Sequence, residues 1–235
     1  MPLPLKIGPV VLGRVPRLVA VWSQMSGARV EAVSGVDFWE ARVDLWGRAS
    51  LARVRRQLTL LAASLPVILT IRSAAEGGRW RGTTAERERS YEALLDLIDA
   101  VDVESAERTL ARAIQRRSQA QRKTLILSFH DFEGTPPTKT LRAKIRAAED
   151  LGADVVKIAT RIRSHDDLLR LIEVQARHSH HNLASMGMDR IATLSRLLLA
   201  SLGSVLVYGA FAKAVAPGQA NIRELTGLMR LLPQL

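Results

Sequence analysis

The sequence predicts an α/β protein with the fold of a (β/α)8 TIM barrel. Short, continuous apolar segments alternate with amphipathic segments, a pattern typical of a parallel sheet covered by helices. There are eight such apolar segments in 235 residues, and TIM barrels commonly have about 250 residues. No Gly-rich phosphate-binding fingerprint follows the first strand candidate, which disfavours a doubly wound open sheet.

The strand candidates are rich in β-branched and apolar residues and are bounded by Gly, Pro and polar residues. They lie at residues 17–22, 36–44, 65–71, 98–103, 124–129, 152–159, 182–186 and 204–208. An earlier segment, residues 5–13, is interrupted by Gly8 and Pro9 and predicts a short hairpin.

Helix candidates follow at residues 49–63, 84–97, 104–119, 138–151, 164–175, 191–201 and 222–232. In the first of them Leu51, Val54 and Leu58 recur at helical spacing. Thr83, three residues before Glu86, predicts a capping box at the start of the second. We therefore predict eight βα units in one catalytic domain that spans residues 1–235.

Composition and charge limit the classes of function. The chain contains no cysteine, which excludes disulfides and thiolate–metal sites. Residues 1–20 are broken by prolines and do not resemble a signal peptide, and the longest mostly apolar run, residues 197–212, is too short to span a membrane. The net charge of +11 raises the possibility of a nucleic-acid partner, but only 4% of residues are aromatic. We interpret the arginine clusters as solvated helix faces, and we expect a cytoplasmic protein without nucleic-acid or membrane partners.

Lys157 interrupts the apolar run of residues 152–159. A buried lysine is costly because burial disfavours its charge. A neutral amine in an apolar pocket is also the nucleophile that forms a Schiff base with a ketone. The competing interpretation is a structural lysine that extends to solvent from the end of its strand.

Other polar residues fall in or just beyond the strand candidates, where TIM barrels carry their chemistry. They are Glu40, Arg42, Arg72, Glu76, Asp102, Glu104, His130 and Asp131. Each one alone has a structural explanation, such as half of an interior ion pair. Jointly they predict a polar site at one rim of the barrel.

Several longer motifs occur in one order along nearly the whole chain. They are WEARVD at residues 39–44, TIRSAAEGG at 70–78, SFHDF at 128–132, Thr-Pro at 135–136, GADVVKIA at 152–159, Ser-Arg at 195–196 and APGQ at 216–219. Together they resemble the type I 3-dehydroquinate dehydratase family. The resemblance implies dehydration of 3-dehydroquinate to 3-dehydroshikimate in the shikimate pathway, with no metal or organic cofactor. It also implies a homodimer, and an N-terminal hairpin that caps the closed end of the barrel.

The resemblance further implies roles for individual residues. Lys157 matches the imine-forming lysine, and His130 matches the general acid/base. Glu76 and Asp102 match carboxylates that orient and tune this histidine, and Arg196 matches the residue that binds the substrate carboxylate. The remaining implied positions contact substrate or pack near the histidine, and they are Glu40, Arg42, Arg72, Gln219 and Met188.

The chain also departs from the family pattern. Val215 stands where a serine is usual, and Val21 takes the place of a polar residue late in the first strand. The connection between the first two strands is short, and Ala192 replaces a common glycine. Because the two valines remove hydroxyl groups that would face substrate, we expect a raised Michaelis constant with the chemistry retained.

Three alternatives remain open from the sequence. Another Schiff-base barrel, such as an aldolase acting on a different hydroxy-ketone, would use Lys157 equally well. A basic barrel that binds nucleic acid without catalysis would explain the charge. A metal site in the His-rich segment 178–181 is disfavoured, because that segment precedes a strand and lies at the opposite face of the barrel.

Overall fold

Eight parallel strands form the barrel that the sequence predicts. The computed structural model describes residues 4–13, 15–26, 30–178, 180 and 182–231. Two short antiparallel strands, β1 (Lys6–Ile7) and β2 (Val10–Val11), come first. The barrel strands are β3 (Arg17–Trp22), β4 (Phe38–Arg42), β5 (Val67–Thr70), β6 (Ala100–Glu104), β7 (Thr124–Asp131), β8 (Val155–Arg161), β9 (Leu183–Met188) and β10 (Leu206–Ala210).

The sheet curves until its two edge strands meet. Neighbouring strands pair in the order β10-β3-β4-β5-β6-β7-β8-β9, all parallel. Between β9 and β10 the amide of Val205 donates to the carbonyl of Leu183 at 3.0 Å. The amide of Ser185 donates to the hydroxyl of Ser204 at 3.0 Å. These bonds join the edges, so the barrel is nearly closed.

Seven helices cover the outside of the barrel in the described part of the chain. They are α1 (Leu51–Ala62), α2 (Thr84–Glu92), α3 (Arg108–Ala120), α4 (Thr138–Asp150), α5 (His165–Ala176), α6 (Ala192–Ser201) and α7 (Ile222–Met229). The sequence predicts no helix between the first two strands, and residues 23–26 and 30–35 contain none, so the first of the eight βα units lacks its helix. Val30, Val33 and Val36 are buried there instead, and they cover the barrel where a helix would otherwise pack.

Local signals place several element ends. The predicted capping box is present: the side chain of Thr83 accepts from the amide of Glu86, whose carboxylate accepts from Thr83. Helix α2 nevertheless ends at Glu92 rather than residue 97, because the chain turns to bury Leu94 and Leu95. Gly152, with a φ of 84°, ends the α4 segment in a conformation that favours glycine.

Two apolar clusters hold the fold together. One lies between the strands and the surrounding helices, and the other fills the interior of the barrel. Ile7 of the hairpin belongs to the interior cluster and is fully buried. The hydroxyl of Thr124, the first residue of β7, donates to the carbonyl of Lys6. The hairpin therefore closes the amino-terminal end of the barrel and leaves the carboxyl-terminal end open.

None of the helices built from the described residues has the length and apolar character needed to cross a membrane.

Candidate active site

The carboxyl ends of the strands surround a cavity that opens to solvent. Nine of the ten residues to which the family resemblance assigns roles line this cavity, although they come from distant parts of the chain. They are Glu40, Arg42, Arg72, Glu76, His130, Lys157, Met188, Arg196 and Gln219. The tenth, Asp102, is fully buried and bonded to Lys157. The structure therefore brings these ten residues together. Asp131, which the sequence also places at the rim, instead accepts from the amides of Glu133 and Gly134 in the turn after β7.

Lys157 lies in the middle of β8 rather than near its end. The strand continues to Arg161, two residues past its predicted end, because Thr160 and Arg161 still pair with β9. The lysine is only 4% exposed, so it does not extend to solvent. Its Nζ donates to Oε1 of Glu40 at 3.1 Å and to Oδ2 of Asp102 at 2.8 Å.

The surroundings of Lys157 come from alternate strands of the barrel. Glu40 is on β4, Asp102 on β6, Lys157 on β8 and Tyr208 on β10. Nζ of Lys157 lies 3.9 Å from the centre of the Tyr208 ring. Interior side chains of TIM barrels form layers of four from alternate strands. One such layer is thus polar, and the lysine nitrogen is in contact with its three other members.

Asp102 is held by cations and a hydroxyl rather than by the histidine. Its Oδ1 accepts from Nη2 of Arg72 at 2.7 Å and from the hydroxyl of Ser128 at 2.6 Å. Burial opposes its charge, but Arg72 and Lys157 hold the pKa of Asp102 well below its usual value. Among the described residues Asp102 makes no hydrogen bond to His130. No direct contact in the described structure therefore supports the implied role of Asp102 in orienting His130.

A second row of ion pairs lies behind Arg72. Its Nη1 is 3.4 Å from Oε1 of Glu104, and Glu104 in turn pairs with Arg87 of α2. All three side chains are buried. Burial opposes the charge of Glu104, but the two arginines lower its pKa. This network ties the site to the outer helix layer and fixes the position of Arg72.

Ser128 and Arg87 were not proposed from the sequence. Ser128 had a usable signal: it lies two residues before His130 on β7, so both side chains face the interior. Arg87 had none, because an arginine on an amphipathic helix usually faces solvent.

His130 and Glu76 form the second polar group of the cavity. Oε2 of Glu76 lies 2.9 Å from Nδ1 of His130 and also accepts from the backbone amide of His130 at 3.0 Å. An ionised carboxylate can only accept hydrogen bonds, so when Glu76 is ionised we assign the imidazole proton to Nδ1, which leaves Nε2 as the free base.

Burial shifts the pKa of each member of this pair in the direction that favours its neutral form. Burial raises the pKa of Glu76 from 4.5 to about 7. Burial, followed by the positive charges of Arg72 and Lys157, lowers the pKa of His130 well below 6.5. The imidazole is therefore neutral near pH 7 and can accept a proton.

Arg196 carries a positive charge that no described carboxylate neutralises. Its Nε donates to the carbonyl of Tyr208 at 3.0 Å, and its Nη1 donates to that of Gly187 at 2.9 Å. It forms no ion pair with any residue that the structure describes, and burial lowers its pKa to about 10. A buried guanidinium held by carbonyl groups beside a cavity is suited to bind an anionic group.

The loop of residues 214–219 closes one side of the cavity. The amide of Val215 donates to Oε1 of Gln219 at 2.9 Å, so this side chain now bonds within its own loop. The amide of Asp189 donates to the carbonyl of Pro217 at 2.9 Å. Gly218 has a φ of 69°, and a Cβ there would lie 2.0 Å from the carbonyl oxygen of Asp189. Only glycine fits this contact.

The departures from the family pattern lie in and around the site. Val215 lines the cavity. Val21 is 1% exposed and belongs to the interior cluster. Both valines therefore add to an apolar wall, and neither side chain supplies a hydrogen bond.

The His-rich segment lies far from this cavity, just before β9. Nε2 of His178 is 2.7 Å from Oδ1 of Asn182, and residues 179 and 181 lie outside the described part of the chain. Within that part, no group of three or more His, Cys, Asp or Glu side chains could hold a metal ion.

A parallel barrel with a buried lysine, a histidine–carboxylate pair and an unpaired arginine around one cavity defines a TIM-barrel enzyme. The sequence model of the family described as Type I 3-dehydroquinase matches residues 21–235. The chain therefore belongs to the type I 3-dehydroquinase family.

Individual relatives agree with this placement. A 3-dehydroquinate dehydratase of Methanococcoides burtonii is 33% identical over 97% of this chain and 99% of its own. The crystal structure of 3-dehydroquinate dehydratase from Geobacillus kaustophilus has a TM-score of 0.88 at 27% identity, covering 98% of this chain and 96% of its own. The corresponding Aquifex aeolicus structure has a TM-score of 0.81 at 30% identity, covering 93% and 100%.

Proposed function

We propose that the chain dehydrates 3-dehydroquinate to 3-dehydroshikimate through an imine on Lys157. The observation that carries this proposal is the position of Nζ in the cavity. It is buried, bonded to two carboxylates, and shares the cavity with a neutral histidine and an unpaired arginine. Family membership and the names of the relatives point to the same reaction.

In the proposed reaction the ammonium of Lys157 loses one proton and attacks the substrate ketone as the amine. That proton and a second one from the nitrogen leave with the ketone oxygen as water, and the iminium keeps the positive charge. The iminium draws electrons, so the neighbouring C2–H becomes acidic enough for a modest base. Nε2 of His130 takes this proton and an enamine results. The protonated imidazole then gives its proton to the C1 hydroxyl, which departs as water. Hydrolysis of the conjugated iminium consumes one water and restores the amine, so one water is lost overall.

His130 has the properties that this sequence of steps requires. It must be neutral when it takes the C2 proton, and its lowered pKa supports that state. Glu76 accepts from Nδ1 and stabilises the imidazolium that forms in the middle of the reaction. Asp102, through its contact with Lys157, keeps the amine in place and compensates the charge of the iminium.

The remaining predicted residues would hold the substrate. Arg196 would bind the substrate carboxylate, because it is the buried cation of the cavity that lacks an ion pair in the described chain. Gln219 would contact a substrate hydroxyl once it releases the amide of Val215. Four further side chains of the cavity wall would complete the contacts, and they are Glu40, Arg42, Arg72 and Met188.

The test is borohydride trapping with 3-dehydroquinate, combined with intact-mass and peptide analysis and with absorbance of the conjugated product. We expect a covalent adduct on Lys157 and formation of product. An adduct without product would mean another substrate, and two carbon fragments would mean an aldolase. If saturating substrate gave neither adduct nor product, the proposed function would be wrong.

The wider setting follows from the same family resemblance. We propose that residues 1–235 act as one catalytic domain in the shikimate pathway, in the cytoplasm and as a homodimer. Sedimentation velocity of the purified chain measures the oligomeric state directly.

A further inference from the structure

The aromatic face of Tyr208 contacts the nitrogen atom on which the proposed imine forms. Nζ of Lys157 lies 3.9 Å from the centre of the ring. Tyr208 is in the middle of β10, is 2% exposed, and lines the same cavity. A cation at this distance over an aromatic face is attracted by the negative charge of the π system.

The other two contacts of the nitrogen change when an imine forms. Glu40 and Asp102 each accept a hydrogen bond from Nζ. An ammonium has three hydrogens to donate, whereas an iminium nitrogen keeps only one. It can therefore no longer donate to both carboxylates. The face of Tyr208 attracts the charge itself and needs no particular hydrogen, so this contact remains available to the iminium.

The hydroxyl of Tyr208 takes no part in this contact. It is buried and has no hydrogen-bond partner among the described residues. Burial, followed by the negative charges of Glu40 and Asp102, raises the pKa of Tyr208 well above its usual value, so the phenol stays neutral. A phenylalanine would keep every packing contact of the ring, which separates the ring from the hydroxyl in an experiment.

We propose that Tyr208 stabilises the cationic imine on Lys157 through the face of its ring. The inference rests on the proposed imine chemistry and adds to it a contact from the apolar side of the barrel. It assigns the ring of Tyr208, and not its hydroxyl, as the functional part of this side chain.

The test compares Tyr208→Leu with Tyr208→Phe. With 3-dehydroquinate, Tyr208→Leu should lower kcat and the rate of borohydride trapping by about 3- to 30-fold, the range expected for a cation–π contact. Tyr208→Phe should stay within about twofold of the wild type. Phe211→Leu is the matched control, because Phe211 stacks on Trp22 outside the cavity. It should leave both rates unchanged.

A second assay does not depend on the natural substrate. Formaldehyde with cyanoborohydride forms and reduces an iminium on any accessible lysine, and peptide mass analysis compares Lys157 with the exposed Lys139. Labelling of Lys157 should fall in Tyr208→Leu and persist in Tyr208→Phe. If this pattern appears but wild type is not trapped with 3-dehydroquinate, the proposed function fails and the role of Tyr208 stands. A leucine variant that matches wild type in either assay, or a phenylalanine variant as weak as leucine, overturns the inference.

Discussion

The strands on the two sides of the barrel interior contribute side chains of opposite chemical character at the height of the cavity, although Arg196 of α6 enters the cavity on the apolar side. Strands β4 to β8 turn charged side chains inward, including Glu40, Asp102 and Lys157, and Arg72 joins them from just beyond the end of β5. Strands β9, β10 and β3 contribute methionine, tyrosine and valine instead, and residue 215 extends this apolar wall. The charged half would perform the chemistry, while the apolar half excludes water.

The charged half is stable because its buried charges are paired. Its ions are bonded to one another, as in the chain from Lys157 through Asp102 and Arg72 to Glu104. Removing one partner of a buried pair leaves an uncompensated charge, which is far more costly than trimming an apolar side chain by a methyl group. The apolar half strengthens these interactions by keeping the local dielectric constant low. Changes in the charged half should therefore have larger effects than changes in the apolar half.

The largest expected effect is that of Lys157→Met, which removes the nucleophile and the cation at the centre of the charged half. We expect kcat to fall on the order of 10⁴-fold or more, with no trapped adduct. The free energy of unfolding should decrease by up to about 3–5 kcal/mol, because Glu40 is left buried without its lysine partner. The loss is limited to this value because Asp102 keeps its ion pair with Arg72. The control Lys139→Met changes an exposed lysine of α4 and should alter neither quantity. Measurable turnover by Lys157→Met would exclude the imine route.

His130→Gln should have the next largest effect, because it removes the base and keeps the amine. We expect kcat to fall about 10²- to 10⁴-fold, which is the usual contribution of general acid–base catalysis. Borohydride trapping on Lys157 should continue. Loss of trapping together with turnover would mean that the histidine is needed to form the imine rather than to move the C2 proton.

Glu76→Gln tests the pH dependence of the charged half. The native pKa of about 7 exceeds the usual 4.5, so the folded state binds the additional proton between these two values. The contribution of Glu76 to the free energy of unfolding is therefore complete below pH 4.5 and is lost as the pH rises to about 7. His130, with its lowered pKa, gives the opposite slope below pH 6.5 in both proteins.

Urea unfolding at pH 4.5, 6 and 8 measures this difference. From pH 4.5 to 8 the variant should gain up to roughly 3 kcal/mol relative to wild type, because one pKa unit corresponds to about 1.4 kcal/mol. Glu133→Gln, at an exposed carboxylate, should show no such gain. A difference between wild type and Glu76→Gln that stays constant across this range would mean that Glu76 titrates normally.

The smallest expected effect belongs to the apolar half. Val215→Ser restores a hydroxyl to the cavity wall, and one added hydrogen bond to substrate should lower KM by about three- to tenfold with kcat retained. The control Val15→Ser lies at an exposed position away from the cavity and should leave KM unchanged. An unchanged KM in Val215→Ser would show that the hydroxyl position does not contact substrate in this chain.

The barrel and most of the residues of its cavity can be predicted from the sequence alone. The apolar run around Lys157, the alternation of Glu40 and Arg42, and the capping box at Thr83 are local patterns, and local patterns survive folding unchanged. Element ends were less well determined. Helix α2 stopped early and β8 ran longer, because burial and strand pairing outside each segment decided where it ends.

Which charges pair depends on contacts between distant parts of the chain. Lys157 bonds Glu40 across 117 positions of the chain, and Arg72 bonds Asp102 across 30. No spacing rule connects such residues, since the closure of the barrel brings them together. For the same reason Asp102 meets the lysine rather than the histidine, Arg87 is buried behind the site, and the ring of Tyr208 lies against the reacting nitrogen. The reactive groups can be recognised in the sequence, whereas their contacts depend on how the closed barrel arranges side chains from alternate strands in layers.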